Sequence, residues 1–172
     1  MKTIMMAAMS VNGLIAREKE GGKSWHSQED WNMFRAKAAE IGNTIIGWKT
    51  YEAIRQQGRL LDDIKLRVVV THHQPTDSLP NTVFTSADPH RILNLVAEQG
   101  FDRVLIAGGS EIYSMFLREK LIDEIYLTIE PVVLGRGIPL FAPNEEFEKG
   151  LKLLEIKKLN QDTIQLHYQV LQ

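Results

Sequence analysis

Apolar and polar positions follow two rhythms along this chain. Short, nearly unbroken apolar runs stand at Thr3–Ala8, Asn43–Gly47 (NTIIG), Leu66–Thr71 (LRVVVT), Arg103–Ala107 (RVLIA) and Glu124–Ile129 (in EIYLTIE). Runs of that length, bounded by Gly, Asn or charge, predict buried strands. Leu14–Ala16, after the Asn12-Gly13 turn signal, and Thr82–Thr85 predict shorter extended pieces. Helices are predicted over Gln28–Ile41, Lys49–Gln57, Pro89–Gln99 and Ser110–Lys120, with Ile92, Leu95 and Val96 on one face of the third. The tail, Leu151–Leu171, alternates in two runs, KLLEIKKL and TIQLHYQVL, around Asn160-Gln161-Asp162, which is a hairpin pattern. Arg17–Lys23, charged and holding Gly21-Gly22, predicts a mobile loop, and His72–Asn81 a Pro-containing one.

Strands alternating with helices imply an α/β fold with a mostly parallel sheet covered on both faces, to which the C-terminal hairpin adds antiparallel edge strands. Ligands in such folds bind outside the carboxyl ends of the strands. That rule selects Gly47-Trp48-Lys49, Thr71-His72 and Gly108-Gly109-Ser110, which all follow predicted strands.

Composition narrows the possibilities. A chain of 172 residues, 44% apolar and free of repeats or low-complexity tracts, predicts one domain over 1–172. A net charge of -2 gives no footprint for nucleic acid or an acidic membrane surface. The histidines are scattered and there is no cysteine, so disulfides, thiolate metal sites and cysteine nucleophiles are excluded and no metal site is expected. The opening MKTIMMAAMS has a short apolar run without a clear cleavage pattern, and no run is long enough to span a bilayer. A cytoplasmic protein is the expectation.

One carboxylate stands out. Ser27 is a good N-cap, which puts Asp30 at N3, where an acid can complete a capping box and complement the helix dipole. Yet positions 30, 34, 38 and 41 share one helical face, and Phe34, Ala38 and Ile41 are its apolar stripe. A carboxylate leaning into apolar surroundings has its pKa pushed upward. Its two oxygens suit a planar heterocycle offering two adjacent N–H donors.

The three strand ends offer weaker signals. Glycine after RVLIA, at a helix start, permits close approach of phosphate to backbone N–H groups, though many strand–helix turns carry glycine for chain geometry alone. Lys49 and Thr50 after Gly47 could hold phosphate oxygens, or be a solvated lysine and a helix start. Thr71 and His72 could meet another phosphate or only water. Thr128, mid-strand, needs a partner for a buried hydroxyl, and Trp25 fills core or covers a cleft. Two phosphate-suited turns and one buried acid fit a dinucleotide beside a small heterocycle. Walker A, nucleophile-elbow, HExxH and GxGxxG patterns are absent.

MAAMSVNGLIA, W-x4-D-x3-F (Trp25, Asp30, Phe34), GWKTYEAI, VLIAGGSEIY and IYLTIEP, in that order, resemble dihydrofolate reductase and the superfamily that includes the pyrimidine reductases of riboflavin synthesis. The resemblance implies a mixed sheet of about eight strands flanked by helices. It implies hydride transfer from NADPH to dihydrofolate, giving tetrahydrofolate, with antifolates as inhibitors. Asp30, Trp25 and Thr128 match the catalytic positions, Asp30 binding the pterin and promoting N5 protonation. The substrate would meet Met6, Ala8, Asp30, Phe34, Thr50, Ile54, Tyr113 and Thr128. NADPH would meet Ala8, Ile15, Gly47, Trp48, Lys49, Thr50, Thr71, His72, Ala107, Gly108, Gly109, Ser110, Glu111, Ile112 and Tyr113, with Gly108-Gly109 joined by a cis peptide. Asn12–Lys23 would be the loop that closes over the reactants.

Trp48 stands where the family commonly has arginine, which bears on the preference for NADPH over NADH. Two further departures point to the alternative, NADPH-dependent reduction of a ribosylaminopyrimidine phosphate or a related reductase of another substrate. The arginine that grips the folate tail has no clean counterpart, Lys65 and Arg67 being the candidates. PVVLGRGIPLF resembles the riboflavin-pathway reductases. A fused zinc deaminase is excluded because its thiolates are absent. A catalytically idle nucleotide-binding module is the third reading. Monomer and homodimer both stay open.

Overall fold

Strand β1 (Lys2–Ser10) runs through the middle of the sheet, and its alternation defines the two faces. Met5 enters one core and Ile4 and Met6 the other, all of them buried. The computed structural model describes residues 1–17, 25–61, 64–73, 75, 79–144 and 146–171.

The remaining elements are β2 (Leu14–Arg17), α1 (Gln28–Ile41), β3 (Asn43–Gly47), α2 (Trp48–Gln56), β4 (Leu66–Val70), β5 (Thr82–Thr85), α3 (Pro89–Glu98), β6 (Arg103–Ile106), α4 (Ser110–Arg118), β7 (Glu124–Glu130), β8 (Gly137–Pro139), β9 (Leu151–Lys158) and β10 (Ile164–Val170). Eight strands form one sheet in the order β5-β4-β3-β6-β1-β7-β10-β9. The pairs from β5 to β7 are parallel, and the C-terminal hairpin joins antiparallel through β10. The predicted α/β architecture and its C-terminal hairpin are therefore present. Only β9 of the hairpin is an edge; β10 lies between β9 and β7.

Helices α3 and α4 cover the Met5 face through Ile92, Val96, Ile112 and Phe116. Helices α1 and α2 cover the other, through Ala38 and Ile41 against Leu105 and through Tyr51 against Ile46 and Val69. The chain leaves β3 toward β4 on one side and leaves β6 toward β7 on the other. The reversal opens a crevice at the carboxyl ends of β3 and β6, where ligands bind in sheets of this kind.

Of the predicted closing loop Asn12–Lys23, residues 18–23 lie outside the described residues, and Asn12–Arg17 is firmly tied. The Asn12 side chain donates to the Leu134 carbonyl at 2.6 Å and accepts from the Leu134 amide at 3.1 Å. Leu14–Arg17 then pairs antiparallel with β8, a strand of three residues that sequence periodicity did not predict.

Candidate functional site

The start of α1 is built by a half-completed capping box. Ser27, in extended conformation, accepts a hydrogen bond from the Asp30 amide at 3.2 Å. In a full box the N3 carboxylate would return to the N-cap amide. Here that amide and the Ser27 hydroxyl both donate to Oε1 of Glu130, at 2.8 Å each. Glu130 has taken the acceptor role, so the capping-box reading of the Asp30 carboxylate is corrected. Asp30 is buried on the same helix as Ala38 and Ile41.

Thr128 lies fully buried in β7, opposite Ala8 on one side and Gln165 on the other. Its oxygen accepts from Gln165 Nε2 at 3.1 Å, which leaves its own hydrogen to donate to Asp30. The backbone partner considered from sequence is replaced by these two side chains. Burial pushes the Asp30 carboxyl up to about 6; the Thr128 hydrogen bond pulls against that rise and the nearby Glu130 charge adds to it. Tyr113 is buried beside this group and donates to the Met6 carbonyl at 2.7 Å. Burial, and then the Asp30 charge, hold its phenol well above the ordinary range, so it remains a donor.

The turn after β6 adjoins this acid group. Gly108-Gly109 is a cis peptide, as the resemblance implied, and Gly108 has φ 111°. Its carbonyl accepts from the Gly47 amide at 2.7 Å, joining the ends of β3 and β6. A Cβ on Gly108 would lie 3.0 Å from the Tyr113 hydroxyl, and one on Gly109 would lie 3.1 Å from Thr50 Oγ1.

Helices α2 and α4 begin at this turn, and neither has a side-chain cap, whereas α1 and α3 are capped by Ser27 and Asp88. Their first N–H groups are thus left for something other than a side chain. Ser110, buried in the first turn of α4, has a hydroxyl with no hydrogen-bond partner among the described residues. An orphaned hydroxyl at an uncapped helix start between glycine turns fits an anionic group such as a dinucleotide pyrophosphate. Ile112 is core, packed against Gly47, while Glu111 and Lys49 are exposed.

Between α1, α2 and the sheet is a cavity whose lining includes Phe34, Thr50, Ile54 and Ala107, all predicted site residues. Its lining also includes two arginines. Arg67, buried in β4, donates to the Leu61 carbonyl at 2.6 Å and to Thr82 Oγ1 at 3.0 Å. Arg59 lies over the Trp31 ring, 5.3 Å from its centroid. Lys65, the other tail candidate, is exposed and runs its stem beside Gly42, away from the cavity lining.

The predicted residues thus fall into an acid group (Asp30, Thr128, Met6, Tyr113, with Ala8 opposite Thr128) and a cavity group, meeting at Gly108-Gly109. A third set lies at the ends of β3 and β4. Trp48 packs on Tyr51, Phe84 and His73, with ring centroids 5.5, 6.2 and 5.4 Å apart. Thr71 is buried and accepts from the His73 amide at 2.9 Å, while His72 is exposed. Trp25 is half-buried and lies against His26, 4.0 Å between centroids. Ile15 packs on the core from β2. Sequence reasoning missed Glu130, Gln165, Arg59 and His73. Only Glu130 left a signal, a carboxylate closing an otherwise buried strand.

The sequence profile of the RibD C-terminal domain matches residues 1–165. The chain belongs to the RibD C-terminal domain family. This family lies within the dihydrofolate reductase-like superfamily, and it is the second family expected from sequence, not the leading one. The uncharacterized protein YwjB of Bacillus subtilis (strain 168) is 30% identical over 171 residues, 97% of each chain. Dihydrofolate reductase of Candida albicans is 30% identical over 155 residues, 84% of this chain and 79% of that one. The riboflavin biosynthesis protein RibD of Bacillus amyloliquefaciens is 23% identical, over 91% of this chain but 53% of its own length. Among solved structures, one named a putative riboflavin biosynthesis protein, from Shewanella sp. PV-4, superposes with a TM-score of 0.84 at 21% identity over the full length of both chains. A deaminase/5-amino-6-(5-phosphoribosylamino)uracil reductase from Thermotoga maritima superposes with a TM-score of 0.76 at 14% identity, over 99% of this chain and 56% of that one. These structural likenesses establish the shared fold.

Proposed function

We propose that the protein is an NADPH-dependent reductase of a nitrogen heterocycle carrying an anionic tail, and that a ribosylaminopyrimidine phosphate of the riboflavin pathway is the best-supported substrate. One observation carries this reading. A buried carboxylate tuned to about 6 lies beside Tyr113, which adjoins Gly108, and a cavity lined in part by Arg59 and Arg67 includes Thr50, which adjoins Gly109. The match to the RibD C-terminal domain supports the substrate class.

The chain's own residues would act as follows. The Asp30 oxygens accept from the N–H edge of the ring, and the Thr128 hydroxyl fixes their orientation. A carboxyl titrating near neutrality can carry a proton and release it to a ring or imine nitrogen as that nitrogen becomes basic. Tyr113 holds the Met6 backbone at the base of the site. Arg59 and Arg67 would receive the phosphate, since guanidinium forks match its oxygens. The amide groups of α2 and α4 and the Ser110 hydroxyl would hold the pyrophosphate of NADPH. When bound, NADPH supplies the hydride.

Dihydrofolate is the second reading. The buried Asp30–Thr128 pair and the likeness to the Candida albicans enzyme favour it.

NADPH consumption by the purified protein, measured in parallel with 5-amino-6-(5-phosphoribosylamino)uracil and with dihydrofolate, separates the readings. Turnover of the phosphorylated pyrimidine is expected. Turnover of dihydrofolate alone supports the second reading. Tight NADPH binding without turnover of either leaves the idle module.

A further inference from the structure

Glu130 closes β7 as a buried charge that the proposed chemistry does not use. It is 1% exposed. Three donors converge on its two oxygens: the Ser27 amide and hydroxyl on Oε1 at 2.8 Å each, and the Thr163 hydroxyl on Oε2 at 3.1 Å. An internal carboxylate is costly to bury and is retained where it is fully hydrogen-bonded. The helix itself needs no such charge, since a serine N-cap functions without one.

The bonding runs in one direction. The Asp30 amide donates to the Ser27 oxygen, and the Ser27 hydroxyl donates to Glu130. The first turn of α1 is therefore tied to the end of the strand that holds Thr128, two residues earlier on β7. The hairpin turn adds a second tie to the same helix end, because the Asn160 side chain that accepts from the Thr163 amide at 2.8 Å also donates to Glu29 at 3.2 Å. The acid and the strand that carries the hydroxyl orienting it are thus tied together through Ser27 and Glu130.

We propose that Glu130 is a positioning residue for Asp30: it anchors the first turn of α1 against β7 through Ser27 and places a fixed negative charge beside the acid. This rests on the reading of Asp30 as the proton-carrying group. Among the described residues, other charged and titratable groups around the acid are these. Tyr113 faces it from α4, and Glu29 on its own helix is turned to Asn160. His26 precedes the helix, and burial, opposed by Glu130 and aided by Arg59, lowers its pKa, so it adds little positive charge against Glu130 at neutral pH. Removing the Glu130 charge should therefore make Asp30 easier to ionise.

The test follows the Asp30 carboxyl by carbon NMR through a pH titration of the ligand-free protein, in wild type, E130Q and S27A. The E130Q midpoint is expected about one unit below that of wild type, the size of a nearby like charge in a partly polarisable interior. S27A keeps the charge and the backbone amide bond to Glu130, and loses the hydroxyl that links Glu130 to the Asp30 amide. Its midpoint should stay with wild type, while single-turnover hydride transfer slows by about tenfold or more, with NADPH affinity retained. A folded E130Q protein with an unmoved midpoint overturns the electrostatic part. S27A with wild-type hydride transfer overturns the positioning part, and does so even if E130Q fails to fold. If wild type reduces neither substrate, the functional reading fails but the E130Q midpoint still tests the inference.

Discussion

Ser27 gives both of its hydrogens to a single oxygen of Glu130, 2.8 Å from its nitrogen and 2.8 Å from its hydroxyl. That arrangement is why Asp30, three residues on, has its carboxylate inside the protein and not folded back on the helix end. A helix start that would ordinarily consume its N3 acid instead presents it to Thr128. The expectations below follow from that displacement and from the glycine turn beside it.

The acid is held at a cost to stability. Its carboxyl sits at about 6 in the folded protein against an ordinary 3.8, so between those values the folded state keeps a proton that the unfolded chain has lost. Stability from this group is complete below about pH 4 and falls as pH rises through about 6. The loss reaches roughly 2–3 kcal/mol at neutrality. Asp30→Asn should therefore be more stable than wild type at about pH 7.5 and lose that advantage at about pH 4. Urea unfolding at the two pH values checks this; equal stability at both contradicts the raised carboxyl.

Ser110 makes a similar trade. Its buried hydroxyl has no partner among the described residues, so Ser110→Ala should leave the ligand-free protein as stable as wild type or slightly more so. NADPH affinity should fall by about ten- to 150-fold, since one hydrogen bond to a charged group is worth roughly 1.5–3 kcal/mol. Calorimetric titration together with thermal unfolding measures both.

Gly137 explains part of the GRGIPLF stretch. A Cβ at this position would stand 2.1 Å from the Ala16 carbonyl oxygen, which no small adjustment relieves. Gly137→Ala should part β8 from β2 and cost roughly 1–3 kcal/mol, the range for overpacking. Amide exchange of Leu14–Arg17 should rise while that of β1 stays slow. Unchanged protection in β2 would show that the two strands do not depend on this contact.

Much of the fold was readable because its signals are local. Helix α1 occupies the predicted Gln28–Ile41, bounded by Ser27 and by Gly42, whose φ of 83° suits glycine. The runs NTIIG and RVLIA became central strands because a parallel sheet buries both faces of each. What escaped depends on contacts between distant segments. Strand β8 is three residues long and exists through its pairing with β2. Glu130 reads as a strand end until α1 is placed beside it. Arg59 has no periodic or motif context, and its place over Trp31 comes from the chain's return after α2. The Trp48 departure likewise became interpretable only in three dimensions, as one ring of an aromatic cluster with Tyr51, His73 and Phe84.

Arg59 distinguishes an anionic substrate from a neutral one. Arg59→Ala should raise KM for the phosphorylated pyrimidine by roughly 10–100-fold with kcat little changed, as loss of uniform binding does. The dephosphorylated analogue should lose no more than a few-fold. Equal losses for both would place the arginine's role in packing on Trp31.

The most direct measurement is the pH dependence of single-turnover hydride transfer in wild type and Asp30→Asn, with saturating NADPH and the phosphorylated pyrimidine. If Asp30 supplies the proton, the wild-type rate falls tenfold per unit as pH rises above about 6, and the variant is slower by about 100-fold or more with that dependence gone. A variant with the wild-type rate and the wild-type pH profile would contradict the role assigned to Asp30.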